Sequence, residues 1–216
     1  MKIGVLGSTG PAGSGLSARL AASGFEVVMG SRSKYRAMEA RDLLHERWPD
    51  RNLGIEAADN IGAAAAEIVV IATPWDAAAS TALQVSDQLR GKVVLCMCNA
   101  LAKVAHEFQP LVPPRGSVAA SVQAAVPRAK IVAGMHHVPA KELGHISEPV
   151  ESDVLICSDQ QKAADEIIAI VGQLPNLRPL YAGELSNAAP IEAFAAVLLQ
   201  LNMHYKTRVA VKFTGV

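Results

Sequence analysis

The chain predicts an α/β fold, a doubly wound parallel sheet of the Rossmann type followed by a short C-terminal helical segment. Three observations carry this expectation. Short apolar runs alternate with helical stretches along most of the 216 residues, and a strand, helix, strand recurrence demands crossover connections and hence a parallel sheet. Half of the residues are hydrophobic while only 4% are aromatic, a balance suited to strands covered by helices on both faces. The first strand, Lys2-Ile3-Gly4-Val5-Leu6, runs directly into Gly7-Ser8-Thr9-Gly10-Pro11-Ala12-Gly13. Glycines there let the backbone turn tightly and approach a pyrophosphate at a helix N-terminus.

Pro11 suits the first turn of the following helix, which carries Leu16, Ala18, Leu20 and Ala21. The glycine spacing is G-x-x-G-x-x-G and not the stricter G-x-G-x-x-G, so its position between a first strand and a first helix supports dinucleotide binding more than the motif itself. Phe25 to Met29 forms the second strand. An NAD enzyme places Asp or Glu at its carboxyl end, where a carboxylate accepts hydrogen bonds from the ribose hydroxyls. This chain instead has Gly30-Ser31-Arg32-Ser33-Lys34-Tyr35-Arg36. Ser31, Arg32, Lys34 and Arg36 supply a hydroxyl and three cations, a set that fits a phosphate dianion and favours NADP. A solvated basic helix start is the competing interpretation, and the location after the second strand weighs against it.

A charged helix follows from about Lys34 to Trp48, then a turn at Pro49 and a third strand near Gly54 to Ala57. Asp59 is placed to cap a small helix. Glu67 to Ala72 is the clearest buried strand; Thr73-Pro74-Trp75 follows, with Pro74 ending the strand and starting a helix that runs to Arg90. Lys92 to Met97 is the next strand. Cys98 to Arg115 contains three prolines and no strong period, which predicts a functional loop with a helical piece. Ser117 to Val126 has helical spacing, Ala129 to Gly134 returns as a strand, and Met135-His136-His137-Val138-Pro139 emerges from its end. Asp153 to Cys157, Gln160 to Gln173 and Leu177 to Tyr181 give a further strand, helix and strand. Ser186-Asn187 is expected to cap a last helix, apolar on nearly every turn, that packs on the sheet domain, on a partner subunit or on both. Residues 1–182 are thus expected to form the NADP-binding domain, and 183–216 to complete the substrate pocket and contribute to a homodimer interface.

Twenty basic and twenty acidic residues cancel, so no global field recruits nucleic acid or an anionic membrane. No apolar run reaches the roughly 20 residues that span a bilayer, and no basic, then apolar leader opens the chain; a cytoplasmic protein acting on a small molecule is expected. Cys96, Cys98 and Cys157 form neither a C-x-x-C pair nor a disulfide framework and are expected to be small buried hydrophobes.

The substrate cavity of such a sheet lies at the strand carboxyl ends. Three segments converge there: Thr73-Pro74-Trp75, Cys98-Asn99-Ala100-Leu101 and His136-His137-Val138-Pro139. None holds a nucleophile with its base or a pair of carboxylates. Consecutive residues of an extended strand face opposite ways, so His136 and His137 do not suggest a metal site; one of them beside a nicotinamide, or a satisfied structural histidine, are the two readings. Hydride transfer between two planar heterocycles depends mainly on stacking them with donor and acceptor carbons close, so apolar walls and backbone donors suffice.

The whole length resembles the NADPH-dependent reductases of the deazaflavin coenzyme F-420 (F420). The likeness rests on Gly7-Ser8-Thr9-Gly10, Gly30-Ser31-Arg32, Thr73-Pro74-Trp75 and His136-His137-Val138-Pro139-Ala140. It also rests on Leu177-Arg178-Pro179-Leu180 with Ala182-Gly183-Glu184-Leu185-Ser186-Asn187. The resemblance implies reversible hydride transfer between nicotinamide carbon 4 and deazaflavin carbon 5. It implies that the glycine turn with Thr9 holds the pyrophosphate. Ser31 and Arg32, with Lys34 or Arg36, would hold the 2′-phosphate, and Pro74 and Trp75 would approach the nicotinamide. His136 and Val138 would line the stacked rings, with Asn99, Met135 and Pro139 among the contacts, and the terminal helix would close the pocket. Two departures stand out: Met97 to Ala102 replaces a Leu-Val-Pro segment of archaeal members, and His137 replaces a small hydroxyl residue. An NADPH-dependent reductase of an imine or a flavin, and a non-catalytic NADP-sensing module, are the alternatives; a pocket beside the nicotinamide large enough for a tricyclic ring distinguishes the first reading from both.

Overall fold

The computed structural model describes all 216 residues. The chain opens with β1 (Lys2–Leu6), α1 (Pro11–Ala22) and β2 (Glu26–Ser31), followed by α2 (Lys34–Arg47), β3 (Ile55–Asp59) and α3 (Asn60–Ala64). β4 (Ile68–Ile71) leads to α4 (Trp75–Gln84) and the single turn α5 (Ser86–Leu89), and then to β5 (Val93–Cys96). These strands, with β8 (Lys130–Ala133), form a six-stranded sheet in the order β3-β2-β1-β4-β5-β8. Every pairing in it is parallel. The order reverses at β1, which lies between β2 and β4, so their carboxyl ends meet at one edge around the glycine turn. The chain therefore has the expected fold class.

Side chains that alternate across the strands enter two cores. Val5, Met29, Val70 and Leu95 pack with α1 and with α8 (Gln161–Val171) on one face. Leu6, Ile71, Val94 and Cys96 pack with α4 and with α6 (Val118–Ala125) on the other. Strands buried on both faces read as unbroken apolar runs, which is why β4 is so clear in the sequence.

Several elements differ from the expectation. β2 continues through Gly30 and Ser31, because β3 keeps pairing with it as far as Asp59. The helix after Pro74 stops at Gln84, where Val85 leaves helical geometry before α5, and Pro74 is the residue before its first turn. Asp59 does cap α3, accepting from the Gly62 N–H at 2.7 Å. The 98–115 stretch holds an antiparallel hairpin and no helical piece: β6 (Leu101–Val104) pairs with β7 (Glu107–Pro110), and Ala105 turns the chain at φ 52°. A four-residue helix, α7 (Ala140–Leu143), follows His136 to Pro139 and was not foreseen.

β9 (Ser152–Ile156) and β10 (Leu177–Tyr181) pair in parallel with each other. They join the main sheet only through an antiparallel bridge between Cys157 and Ala133. A single 3₁₀ turn at Leu185–Asn187 precedes α9 (Ala188–Tyr205). Asn187 stands at the expected cap position, but its side-chain amide donates to the Ala182 carbonyl and makes no cap bond. α9 lies against α6 and β7. Lys206 then reverses the chain at φ 50°, and the last residues run back along β9. There Asp153, fully buried, accepts from Arg178 at 2.6 and 2.8 Å and from the Phe213 N–H at 2.5 Å. Arg178 holds that carboxyl down at about 2.

Candidate functional site

The turn after β1 shows what each glycine does. Gly7 adopts φ +81°, and a Cβ on it would lie 2.8 Å from the Ala72 backbone. A Cβ on Gly13 would lie 2.6 Å from the Gly7 carbonyl oxygen, so its absence lets α1 sit down on the turn. Ser8 is fully buried, and both its N–H and its hydroxyl donate to the Gly30 carbonyl, at 3.2 and 3.0 Å. Ser8 thus ties β1 to β2, and its side chain does not face outward. Ser14 is the first residue of α1 whose N–H finds a helical carbonyl, that of Gly10 at 2.8 Å. A helix leaves the amides before that point free for an anion, here those of Ala12 and Gly13, beside exposed Thr9.

At the end of β2, Ser31 is buried and its hydroxyl accepts weakly from the Ser33 N–H at 3.4 Å. Arg32, Lys34 and Arg36 are exposed, and none is in an ion pair. No acidic residue occupies the first turn of α2, so three cations and a helix N-terminus face solvent together. A dianionic phosphate fits that arrangement.

The segment after β8 forms the opposite wall. Met135 takes a left-handed φ of 66°, rare for a residue with a side chain, and throws the next residues across the sheet edge. His136 is 5% exposed. Asn99 holds it at two points, with its amide donating to the His136 carbonyl at 3.0 Å and its oxygen 2.8 Å from Nδ1. An amide oxygen can only accept, so Nδ1 carries the proton and Nε2 is the bare nitrogen. Burial, aided by the neighbouring His137, pushes the His136 pKa down to about 3; the ring is neutral. His137 turns the other way, its Nε2 3.2 Å from the Ile191 carbonyl and its ring edge-on to Phe194 at 5.6 Å. Burial lowers its pKa as well.

These pieces enclose an apolar cavity of about 180 Å³. Ala12 of α1 forms one side; Met135, His136, Val138 and Pro139 form another, with Asn99 between; Ala195, Leu198 and Asn202 of α9 with Val209 cover it. Thr73, Pro74 and Trp75 stand at the same sheet edge, after β4, but outside this lining. Ser31, Arg32, Lys34 and Arg36 lie one strand further, beyond the glycine turn. No carboxylate, lysine or thiol lines the cavity. A larger polar cleft of about 700 Å³ lies between residues 142–151 and the returning C-terminal chain; it shares only Pro139 with the cavity and includes no residue of the glycine turn.

Glu192, on α9 one turn before Ala195, is 4% exposed. Its carboxyl accepts from the Val118 and Ala119 N–H groups at 2.8 and 3.0 Å, capping α6. Burial nevertheless raises its pKa to about 7. The closing of the cavity by α9 is as the sequence led us to expect; the Glu192 contact was not read from it, although a lone acid within Ile191-Glu192-Ala193-Phe194-Ala195 is the trace it leaves.

Comparison with known proteins gives the chemical class. The profile of the family described as NADP oxidoreductase, coenzyme F420-dependent, matches residues 2–100. That span holds the glycine turn, Ser31 to Arg36 and Thr73 to Trp75. The F420-dependent NADP reductase of Methanocaldococcus jannaschii is 32% identical over 215 residues, covering 96% of this chain and 95% of that one. The chain belongs to the F420-dependent NADP reductase family. The reductase of Methanothermobacter thermautotrophicus agrees, at 30% identity over 217 residues, with 96% and 92% of the two chains covered. Both likenesses extend past Ala100 into the portion of an F420-dependent NADP reductase that holds His136 to Pro139 and α9. A solved protein from Arthrobacter sp. FB24, provisionally named for the same activity, superposes with a TM-score of 0.81 at 23% identity, covering 99% of this chain and 100% of its own. At that identity the likeness speaks for the fold.

Proposed function

We propose that this member of the F420-dependent NADP reductase family transfers a hydride reversibly between nicotinamide carbon 4 of NADP(H) and carbon 5 of coenzyme F420. The observation that carries the proposal is the apolar cavity walled on one side by the helix of the glycine turn and on the other by His136 to Pro139. The free amides at Ala12 and Gly13, with Thr9 beside them, take the pyrophosphate. Ser31, Arg32, Lys34 and Arg36 take the 2′-phosphate. Pro74 and Trp75 border the nicotinamide, and His136, Val138, Pro139, Met135 and Asn99 shape the space where the rings stack.

The nicotinamide supplies the hydride, and the chain supplies geometry. A neutral His136 sets no positive charge against the cationic ring of oxidised nicotinamide. Reduction of the deazaflavin also takes up one proton. The cavity lines no acid to deliver it, so the proton comes from solvent and orientation supplies the acceleration. Residues 1–182 act as the NADP-binding domain, and 183–216 complete the acceptor pocket through Ala195, Leu198 and Asn202. Phe194, Val197, Leu201 and Tyr205 leave an apolar face of α9 exposed, which supports a homodimer. Three free, buried cysteines suit the reducing cytoplasm; no helix is long and apolar enough to cross a membrane.

Absorbance at the oxidised deazaflavin band, followed with purified protein, NADPH and F420 beside FMN and a cyclic imine, tests the reaction. Bleaching confined to F420 is expected. Bleaching by another acceptor alone would overturn the proposal.

A further inference from the structure

α1 carries a stripe at positions 12, 15 and 19 that faces α7. Ala12 lines the cavity opposite Val138 and Pro139, and Ala140, the first residue of α7, lines it too. One turn on, Gly15 meets α7 backbone to backbone; a Cβ there would lie 2.8 Å from the Ala140 carbonyl oxygen and 3.0 Å from the Gly144 nitrogen. A further turn on, Arg19 is 2% exposed. Its guanidinium makes no ion pair with any carboxylate. It donates instead to four main-chain carbonyls: Leu143 at 3.0 Å, Glu142 at 2.7 Å, His145 at 2.8 Å and Glu148 at 3.0 Å. The Glu142 carboxylate is engaged elsewhere, by Arg208.

A buried cation is costly unless hydrogen-bonded, and here Nε and Nη2 make all four bonds to the α7 segment; a four-residue helix, in turn, has little stability of its own. Arg19 and α7 therefore require one another. The same helix that starts at the dinucleotide turn thus fixes the segment bearing the opposite wall of the cavity, and the spacing of the two walls is set at the α1–α7 contact.

We infer that Arg19 is a positioning residue for hydride transfer, holding Val138 to Ala140 at the distance from α1 that keeps the two rings stacked within reach. This rests on the reaction proposed above. Arg19→Lys keeps the charge and loses the planar fork; Gly15→Ala presses α7 away from the other side of the same contact. Val85→Ala, a truncation in the core on the opposite face of the sheet, controls for lowered stability alone.

Hydrogen–deuterium exchange of residues 136–148 in the NADPH complex should rise in both test variants and not in the control. The single-turnover rate of hydride transfer should fall about tenfold or more, with NADPH affinity within about twofold of the unmutated enzyme and the primary isotope effect of 4-deuterated NADPH fully expressed. Unchanged exchange at 136–148, or a slowing no greater than that of Val85→Ala, would overturn the inference. Bleaching of F420 by the unmutated enzyme is measured first, so a failure of the reaction assignment is seen before any variant is compared.

Discussion

Ser31 is buried at the end of a strand while Arg32 beside it reaches solvent without a carboxylate partner, and these are the residues we propose for the 2′-phosphate by which NADP differs from NAD. Arg32→Ala should raise the Kd for NADPH about tenfold, equivalent to about 1.4 kcal/mol, and leave that for NADH nearly unchanged. Parallel titrations with both nucleotides check this, and equal losses would move the phosphate site elsewhere. Residues of this kind were legible in the sequence because their chemistry is local: a glycine that must turn, or a cation after a particular strand. Arg19, Glu192 and the Asn99–His136 pair were not. Each acquires its role from main-chain or side-chain groups far along the chain, 37 residues for Asn99 and His136 and 124 for Arg19 and Leu143. The trace of Arg19 is a charge set among Leu16, Ala18, Leu20 and Ala21 on a core-facing helix. Ser8 shows the reverse: a motif position expected at the ligand spends its side chain on the sheet.

Helix α9 is joined to the sheet domain by a titratable contact. Glu192 is protonated more readily in the folded chain than in the unfolded one, its pKa standing near 7 against an ordinary 4.5. Between those values the folded state binds the extra proton, so this group's contribution to stability falls as pH rises from about 4.5 to 7 and is level above. His136 and His137, held neutral by burial, act oppositely, losing stability as pH falls below about 6.5. The Glu192 contribution is isolated by subtraction. Urea unfolding of Glu192→Gln and the unmutated chain at pH 5 and pH 8 should show that the variant loses less stability over that interval, by up to about 3 kcal/mol. Equal changes would mean that the carboxyl is ionised throughout. Element types were mostly readable from periodicity, and the misses have causes. Leu101 to Pro110 lacks an apolar alternation because the hairpin is largely exposed. α7 is too short to show a period, and α4 breaks at Val85 where no glycine or proline marks the stop.

At the scale of the molecule, a doubly wound parallel sheet was implied by the recurrence of strand, helix and strand, since such connections must be crossovers; the order of its strands is seen only in the fold. The reversal at β9 was not implied: one bridge between Ala133 and Cys157 sets its direction, and no sequence pattern records a bridge. The exposed trio Arg32, Lys34 and Arg36 has a consequence that follows from the whole chain's neutrality. With twenty charges of each sign, no distant surplus reinforces the local attraction, which mobile counter-ions screen over about 8 Å at physiological ionic strength. Raising sodium chloride from about 0.05 to 0.5 M should therefore raise the KM for NADPH several-fold while scarcely changing that for NADH, so the enzyme's preference between the two nucleotides becomes a property of the salt around it as much as of the protein.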